Sequence, residues 1–228
     1  FLAGVSVARS ISAVNNIPLY TFSHQQGHIA AAAFGSGHTE LLNSPFIAFH
    51  VSGGTTEALL VTPSESSFIK AELIANTNDL NAGQLVDRTG VMLGLQFPCG
   101  IELEKLANTY NGNIKVKPSL KGSNCNLSGF QNKITKLYEE SGDKAYVSAY
   151  TLKAISETLI AMTKSLLAEY GELPLLFAGG VMSNQLIKND DTLFIVVGDL
   201  NLKGRYAESM MVFTANKIIA FDECTYFF

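Results

Sequence analysis

Apolar residues recur along this chain in two rhythms. Ile155, Leu159, Met162 and Leu166 fall at spacings of four, three and four, which puts them on one helical face and predicts a long helix over 144–170. Elsewhere the apolar residues form short continuous runs: Phe46-Ile47-Ala48-Phe49, Ala58-Leu59-Leu60-Val61, a run over 68–74, and Leu175 to Ala178. Such runs bounded by turn residues read as strands. The first two flank Gly53-Gly54, a pair suited to the positive-φ turns of hairpins. Further helices are predicted over 3–15, over an Ala-rich stretch near 26–34, from an Asn81 cap through Leu95, and over 101–110 beyond the break at Phe97-Pro98-Cys99-Gly100. A short strand is predicted over 17–22, and a new helix is expected at Asn184 after the sharp end of a strand at Gly179-Gly180. Hairpin strands combined with long helices make an α/β chain with a mixed sheet. The opening Phe1-Leu2-Ala3-Gly4-Val5 enters a helix with no polar lead, so the sequence reads as beginning inside a fold.

Composition narrows this picture without changing it. The 228 residues are 47% hydrophobic and 16% charged, enough for one large or two small cored domains. A net charge of −4 gives no global case for nucleic-acid binding, so such a contact must come from a local patch. One candidate is the stretch from Lys115 to Lys136, with Lys117, Lys121 and Lys133 between and no acidic residue; it reads equally as a phosphate-following surface and as a solvated loop. Cys99, Cys125 and Cys224 are far apart and odd in number, which points to free thiols in a reducing cytosol rather than a disulfide framework. No apolar run reaches membrane-spanning length and no signal peptide opens the chain, so a cytoplasmic protein with no membrane partner is expected.

Four constellations carry candidate chemistry. The Ser52-Gly53-Gly54 turn offers consecutive backbone N–H groups with no side chain in the way, as a phosphate requires. His24 and His28 are four apart, so on a helix both imidazoles project from one face and can share a metal ion; the other reading is two surface histidines. Asp79 and Asp87 are eight apart, and Asp87 follows Gly83 by one turn, which leaves room for a ligand beside its carboxylate or makes a surface pair with Arg88. Gly179-Gly180 ends a buried strand, where open α/β sheets gather ligands, and Asn184 stands just beyond it.

In order and spacing these pieces resemble the tRNA N6-adenosine threonylcarbamoyltransferase family, long known as glycoproteases. The match runs through His24 and His28, Val51-Ser52-Gly53-Gly54, Gly83 to Asp87, Leu93-Gly94-Leu95, Pro98-Cys99-Gly100, Leu127-Ser128-Gly129-Phe130 and Ala178 to Asn184, covering about residues 1–188. The resemblance implies an α/β fold of the ASKHA (actin-like ATPase, ribonuclease H-like) class with two lobes, its N-terminal part missing. Residues 1–45 would be the remainder of the first lobe, 46–188 the second lobe with nucleotide-site elements, and 189–228 a poorly matched C-terminal segment. It implies a divalent metal, iron or zinc, on His24 and His28. ATP or threonylcarbamoyl-adenylate would lie on His50, Val51, Ser52, Gly53, Gly54, Asp87, Gly100 and Asn184. The implied reaction moves threonylcarbamoyl onto N6 of the adenosine beside the tRNA anticodon, with accessory proteins that include an ASKHA-fold partner.

This chain departs from the family pattern at several places. Gln84 stands where the family has an acid, Thr55 where it usually has His, and Cys99 where it has Gly. The Thr-Asp-Asn motif is absent, and Ala207 or Glu208 falls nearest its metal-binding Asp. Besides the transferase, these departures leave open a binding or scaffold paralogue with the same fold, and less directly a small-molecule kinase. No nucleophile–base pair or His-Glu-x-x-His motif supports a protease.

Overall fold

The computed structural model describes residues 2–19, 23–35, 37–65, 67–188, 210–214 and 217–221. Its centre is the hairpin of β1 (Phe46–Val51) and β2 (Thr56–Ser64), extended by β3 (Phe68–Asn76). These strands run antiparallel, and β6 (Leu175–Ala178) joins the other side of β1 in parallel. Two antiparallel strands, β7 (Met210–Thr214) and β8 (Lys217–Phe221), complete a mixed sheet in the order β3-β2-β1-β6-β7-β8.

The helices are α1 (Leu2–Asn15), α2 (His24–Gly35), α3 (Ala82–Met92), α4 (Gly100–Ala107), α5 (Ser128–Ser141), α6 (Lys144–Tyr170) and α7 (Gln185–Lys188). A two-residue hairpin, β4 (Leu120–Lys121) with β5 (Asn124–Cys125), lies between α4 and α5. Every residue of β1 is buried, because the sheet is covered on both faces. Alternation divides its side chains between two cores. Ile47, Phe49 and Val51 join α3, α5 and α6, while Phe46 and Ala48 join Ile29, Ala32 and Ala33 of α2. Phe49 stacks on Phe177 of β6 with ring centroids 4.4 Å apart, tying the parallel pair together on the first face. The second core draws members from both sides of residue 45.

Local chemistry explains most element ends. Ser23 and Gln26 form a reciprocal capping box: Gln26 N donates to Ser23 Oγ at 3.1 Å, and Ser23 N donates to Gln26 Oε1 at 2.6 Å. It starts α2 at His24, two residues before the range expected from its alanines. Asp143 caps α6 by accepting from Tyr146 N at 3.0 Å, and α6 then runs over the span its apolar stripe predicts. The strand expected over 17–22 is a correction: residues 17–19 have no regular structure, and 20–22 lie outside the described residues. Ile17 turns back on α1 instead of entering a ladder, its N donating to Ser12 O at 3.1 Å while its carbonyl accepts from Ser12 Oγ at 2.6 Å. Helix α3 stops at Met92, short of the expected Leu95, because Gly94 adopts a left-handed φ of 82°. No described helix is long and apolar enough to cross a membrane.

Candidate nucleotide cleft

Strands β1 and β6 run in parallel and end side by side, His50 opposite Ala178. Each is followed by a glycine turn; the first turn packs against the start of α3, and the first residues of α4 line the same cavity as both turns. Two close approaches make this packing possible. Gly83 N donates to Ser52 O at 3.1 Å, and a Cβ on Gly83 would stand 2.6 Å from Gly53 N. Gly179 has φ 111° and lies directly against the Val51 backbone, so neither its conformation nor its space admits a side chain.

The turn itself is organised around Ser52. Its Oγ accepts from Gly54 N at 3.2 Å and Thr55 N at 3.1 Å, and bonds Thr55 Oγ1 at 2.8 Å. Asn81, which opens α3, donates from Nδ2 to Gly54 O at 2.9 Å, and Gln84 Oε1 accepts from Asn81 N at 3.2 Å. Gln84 therefore works as a helix cap. That role needs an oxygen acceptor but no negative charge.

A cavity of about 260 Å³ opens over this junction. Gly53, Gly83, Asp87, Gly100 and Asn184 line it, as do Gly180, Glu104, Ile101 and Leu152. At Gly53, Gly100 and Gly180 the position of a Cβ is open space, so the cavity is shaped by side chains that are absent. Asp87 is held by Cys99 N, which donates to its Oδ1 at 2.9 Å. Asn184 is buried, and its Oδ1 caps α7 by accepting from Leu186 N at 3.0 Å and Ile187 N at 3.2 Å. Its Nδ2 has no partner among the described residues. Glu104 accepts from Gln185 N at 2.9 Å and adds a second carboxylate to the lining. Such a lining suits a small polar ligand approached closely by backbone, as a nucleotide monophosphate is.

The expected site residues divide between this cavity and its surroundings. Gly53, Asp87, Gly100 and Asn184, remote in sequence, share one lining. Ser52 and Gly54 belong to the turn behind it, and Val51 is buried beneath Gly179. His50 is separate: with Phe46 and Ala48 it faces α2, where its ring centroid lies 4.8 Å from that of His28. Its Nδ1 is 3.2 Å from Thr55 Oγ1 and 3.9 Å from Glu57 Oε1. His24 and His28 share α2 one turn apart, but the His24 side chain lies outside the described residues. Among the described residues no group of three His, Cys, Asp or Glu side chains can hold a metal ion. The described donors alone do not make the site the resemblance implies for a divalent metal, and Ala207 and Glu208 also lie outside the described residues.

Glu104, Ile101 and Leu152 were not foreseen as site residues. Glu104 and Ile101 carried a signal: they follow Gly100 on a predicted helix, and Glu104 is one turn on, on the same face. Leu152 carried none, since it sits inside a helix with many apolar residues.

Four chemistry-bearing stretches in the family's order converge on one cleft, and a family model described as tRNA N6-adenosine threonylcarbamoyltransferase (TsaD) matches residues 1–198. The chain belongs to that family. Its mixed sheet, covered by helices on both faces, is accordingly of the ASKHA class. The tRNA N6-adenosine threonylcarbamoyltransferase of Ligilactobacillus salivarius is 31% identical over 193 residues, 81% of this chain and 54% of that protein. The protein of the same name from Christiangramia forsetii is 32% identical over 203 residues, 82% of this chain and 57% of that protein. The one from Streptococcus equi subsp. zooepidemicus is 29% identical, covering 89% of this chain and 62% of that protein. The chain thus spans a little over half the length of these curated relatives.

Proposed function

We propose that this chain takes part in transferring threonylcarbamoyl from threonylcarbamoyl-adenylate to N6 of the tRNA adenosine beside the anticodon. The observation that carries the reading is the shared lining of Gly53, Asp87, Gly100 and Asn184. In the transfer, N6 attacks the carbamoyl carbon, a C–N bond forms, and the C–O bond to the phosphate breaks. AMP leaves with the bonding pair, and the N6 proton passes to solvent. Within this reading, Gly53 and Gly100 let backbone approach the adenylate, Asp87 accepts from a sugar hydroxyl, and the Asn184 amide donates to the ligand. Ser52 fixes the turn by accepting from Gly54 N and Thr55 N.

In the same reading His24 and His28 would hold a divalent metal, iron or zinc. Tight contact between His28 and His50, and from His50 through Thr55 to Ser52, links that helix to the glycine turn. Accessory proteins, among them an ASKHA-fold partner, complete the proposed system.

A second reading is a binding or scaffold paralogue with little turnover, favoured by Gln84 where the family has an acid and by the absence of a Thr-Asp-Asn motif from the sequence. One assay separates the two: incorporation of radiolabelled threonine into unmodified tRNA with ATP, bicarbonate and the synthase that makes the adenylate. Incorporation that depends on this chain and falls in Asp87→Ala supports the transferase. Nucleotide binding without incorporation, even with the accessory proteins added, supports the paralogue.

A further inference from the structure

Five lysines lie between residues 115 and 136, and the structure divides them into two groups. Lys133 Nζ sits 5.1 Å from the centroid of the Tyr150 ring, and Lys136 pairs with Glu140 at 3.7 Å. Lys115, Lys117 and Lys121 are exposed, and none of their side chains has an ion-pair or hydrogen-bond partner among the described residues.

Burial alternates strictly from residue 114 to residue 121. Ile114, Val116 and Leu120 pack against the main core, while Lys115, Lys117, Ser119 and Lys121 face solvent. Alternation of this kind marks an extended chain, so its lysines stand on one edge, about 7 Å and about 13 Å apart at ~3.3 Å per residue. The segment is firmly mounted. Asn124, just past Lys121, accepts from Asn76 N at 2.9 Å; Asn78 N donates to Cys125 O at 2.9 Å; and Asp79 accepts from Leu127 N at 2.8 Å. The loop that holds it continues into Asn81, whose side chain holds the Gly54 carbonyl behind the cleft.

We propose that Lys115, Lys117 and Lys121 form a rail that binds the phosphate backbone of RNA, the acceptor in the transfer reading on which this inference rests. Regular charge on a fixed edge is what a polyanion with one phosphate per ~3.4 Å of strand requires. The anchored apolar residues also argue against a lipid surface. They face inward, so the outer edge carries no apolar side chain to insert among acyl chains. The contacts are to phosphate and so position the RNA without reading its sequence.

The test is filter binding of the full chain to an unmodified tRNA transcript across a salt series. Lys115→Glu, Lys117→Glu and Lys121→Glu are combined in one variant, with Lys70→Glu on β3 as a control and anionic phosphatidylserine vesicles as a second probe. The variant is expected to bind at least tenfold more weakly at moderate salt. Its slope of log K against log[salt] is expected to fall by about 2, at ~0.7 per lost contact to a single strand. Its circular dichroism and AMP binding, like the control's RNA binding, are expected to stay unchanged. Equal affinity and slope in wild type and variant overturn the rail while leaving the transfer reading intact. Failure of the wild-type chain to bind the transcript, alone or with accessory proteins, overturns both. Loss of vesicle binding with RNA binding unchanged makes the edge a membrane contact and overturns the RNA assignment.

Discussion

At the scale of single residues, the cleft is defined by what glycine leaves out, and two of its glycines do so for opposite reasons. Gly83 has no room: a methyl there would stand 2.6 Å from Gly53 N and 2.8 Å from Ser52 C, both backbone atoms that cannot rotate away. Gly83→Ala is expected to cost about 1–3 kcal/mol, the range for overpacking, read as a lower urea midpoint with an unchanged m-value. Gly100 faces open space at the start of α4, where alanine is the better helix former. Gly100→Ala is therefore expected to leave the midpoint level or raise it, yet weaken AMP binding in calorimetry, because its methyl enters the cavity. Unaltered AMP affinity in Gly100→Ala would remove that residue from the ligand site. The cysteines follow burial in the same way. Burial pushes the Cys125 thiol up to about 11, with Asp79 adding to the effect, and Cys99 is raised by burial and then by Asp87. Neither is expected to react with iodoacetamide at pH 8 until the chain unfolds, since alkylation needs the thiolate. Cys224 lies outside the described residues.

Among the elements, legibility in the sequence followed how much each one buries and how local its signal is. Helix α6 and strand β6 matched their predicted spans because nearly every turn or residue contributes to the core. Helix α5 was not foreseen. It buries only Phe130 and Ile134 fully, with Leu137 and Tyr138 packed partly against the core, so its stripe is hidden among lysines and polar residues. The β4–β5 hairpin is held to a remote segment by its own Asn124, whose Oδ1 accepts from Asn76 N, and by Asn78, whose Nδ2 donates to Cys125 O, pairings that no local pattern reveals. Asp79 is the centre of that arrangement. Its Oδ1 accepts from Leu80 N, Leu127 N and Ser128 N, and its Oδ2 accepts from Ser128 Oγ at 2.5 Å. Burial alone would push its carboxyl up, but the hydrogen bonds from Ser128, Leu127 and Leu80 together outweigh it and hold the group below its ordinary value. A depressed folded pKa gives stability that is complete above the unfolded value of about 3.9 and is lost as pH falls through the folded one. Asp79→Asn is expected to lower the urea midpoint at pH 7 and to flatten its decline between about pH 4 and the acid limit. A decline as steep as wild type's would show that Asp79 does not carry this dependence.

For the whole molecule, the site arises because two parallel strands end together and deliver turns far apart in sequence to one place. The glycine turns and Asp87 could be singled out one by one, but their meeting depends on β1 pairing with β6 across more than a hundred residues. The same geometry separates His50 and His28, on the α2 face, from the cavity lined by Val86, Leu152 and Ile187 on the other. The electrostatics of the assembled cavity then set its ligand preference. Among the described residues its lining holds Asp87 and Glu104 and no lysine or arginine, so each added phosphate meets two carboxylates with no described cation to offset it. Without a divalent cation, AMP is expected to bind more tightly than ATP, and magnesium should narrow the gap by neutralising the polyphosphate. Glu104→Gln removes one of the charges and is expected to bring ATP closer to AMP in EDTA, with the Gln185 N contact kept by the amide oxygen. Isothermal titration of both nucleotides, with EDTA and with magnesium, reads all of this directly. Tighter binding of ATP than of AMP in EDTA would mean that the phosphates lie elsewhere than against this lining.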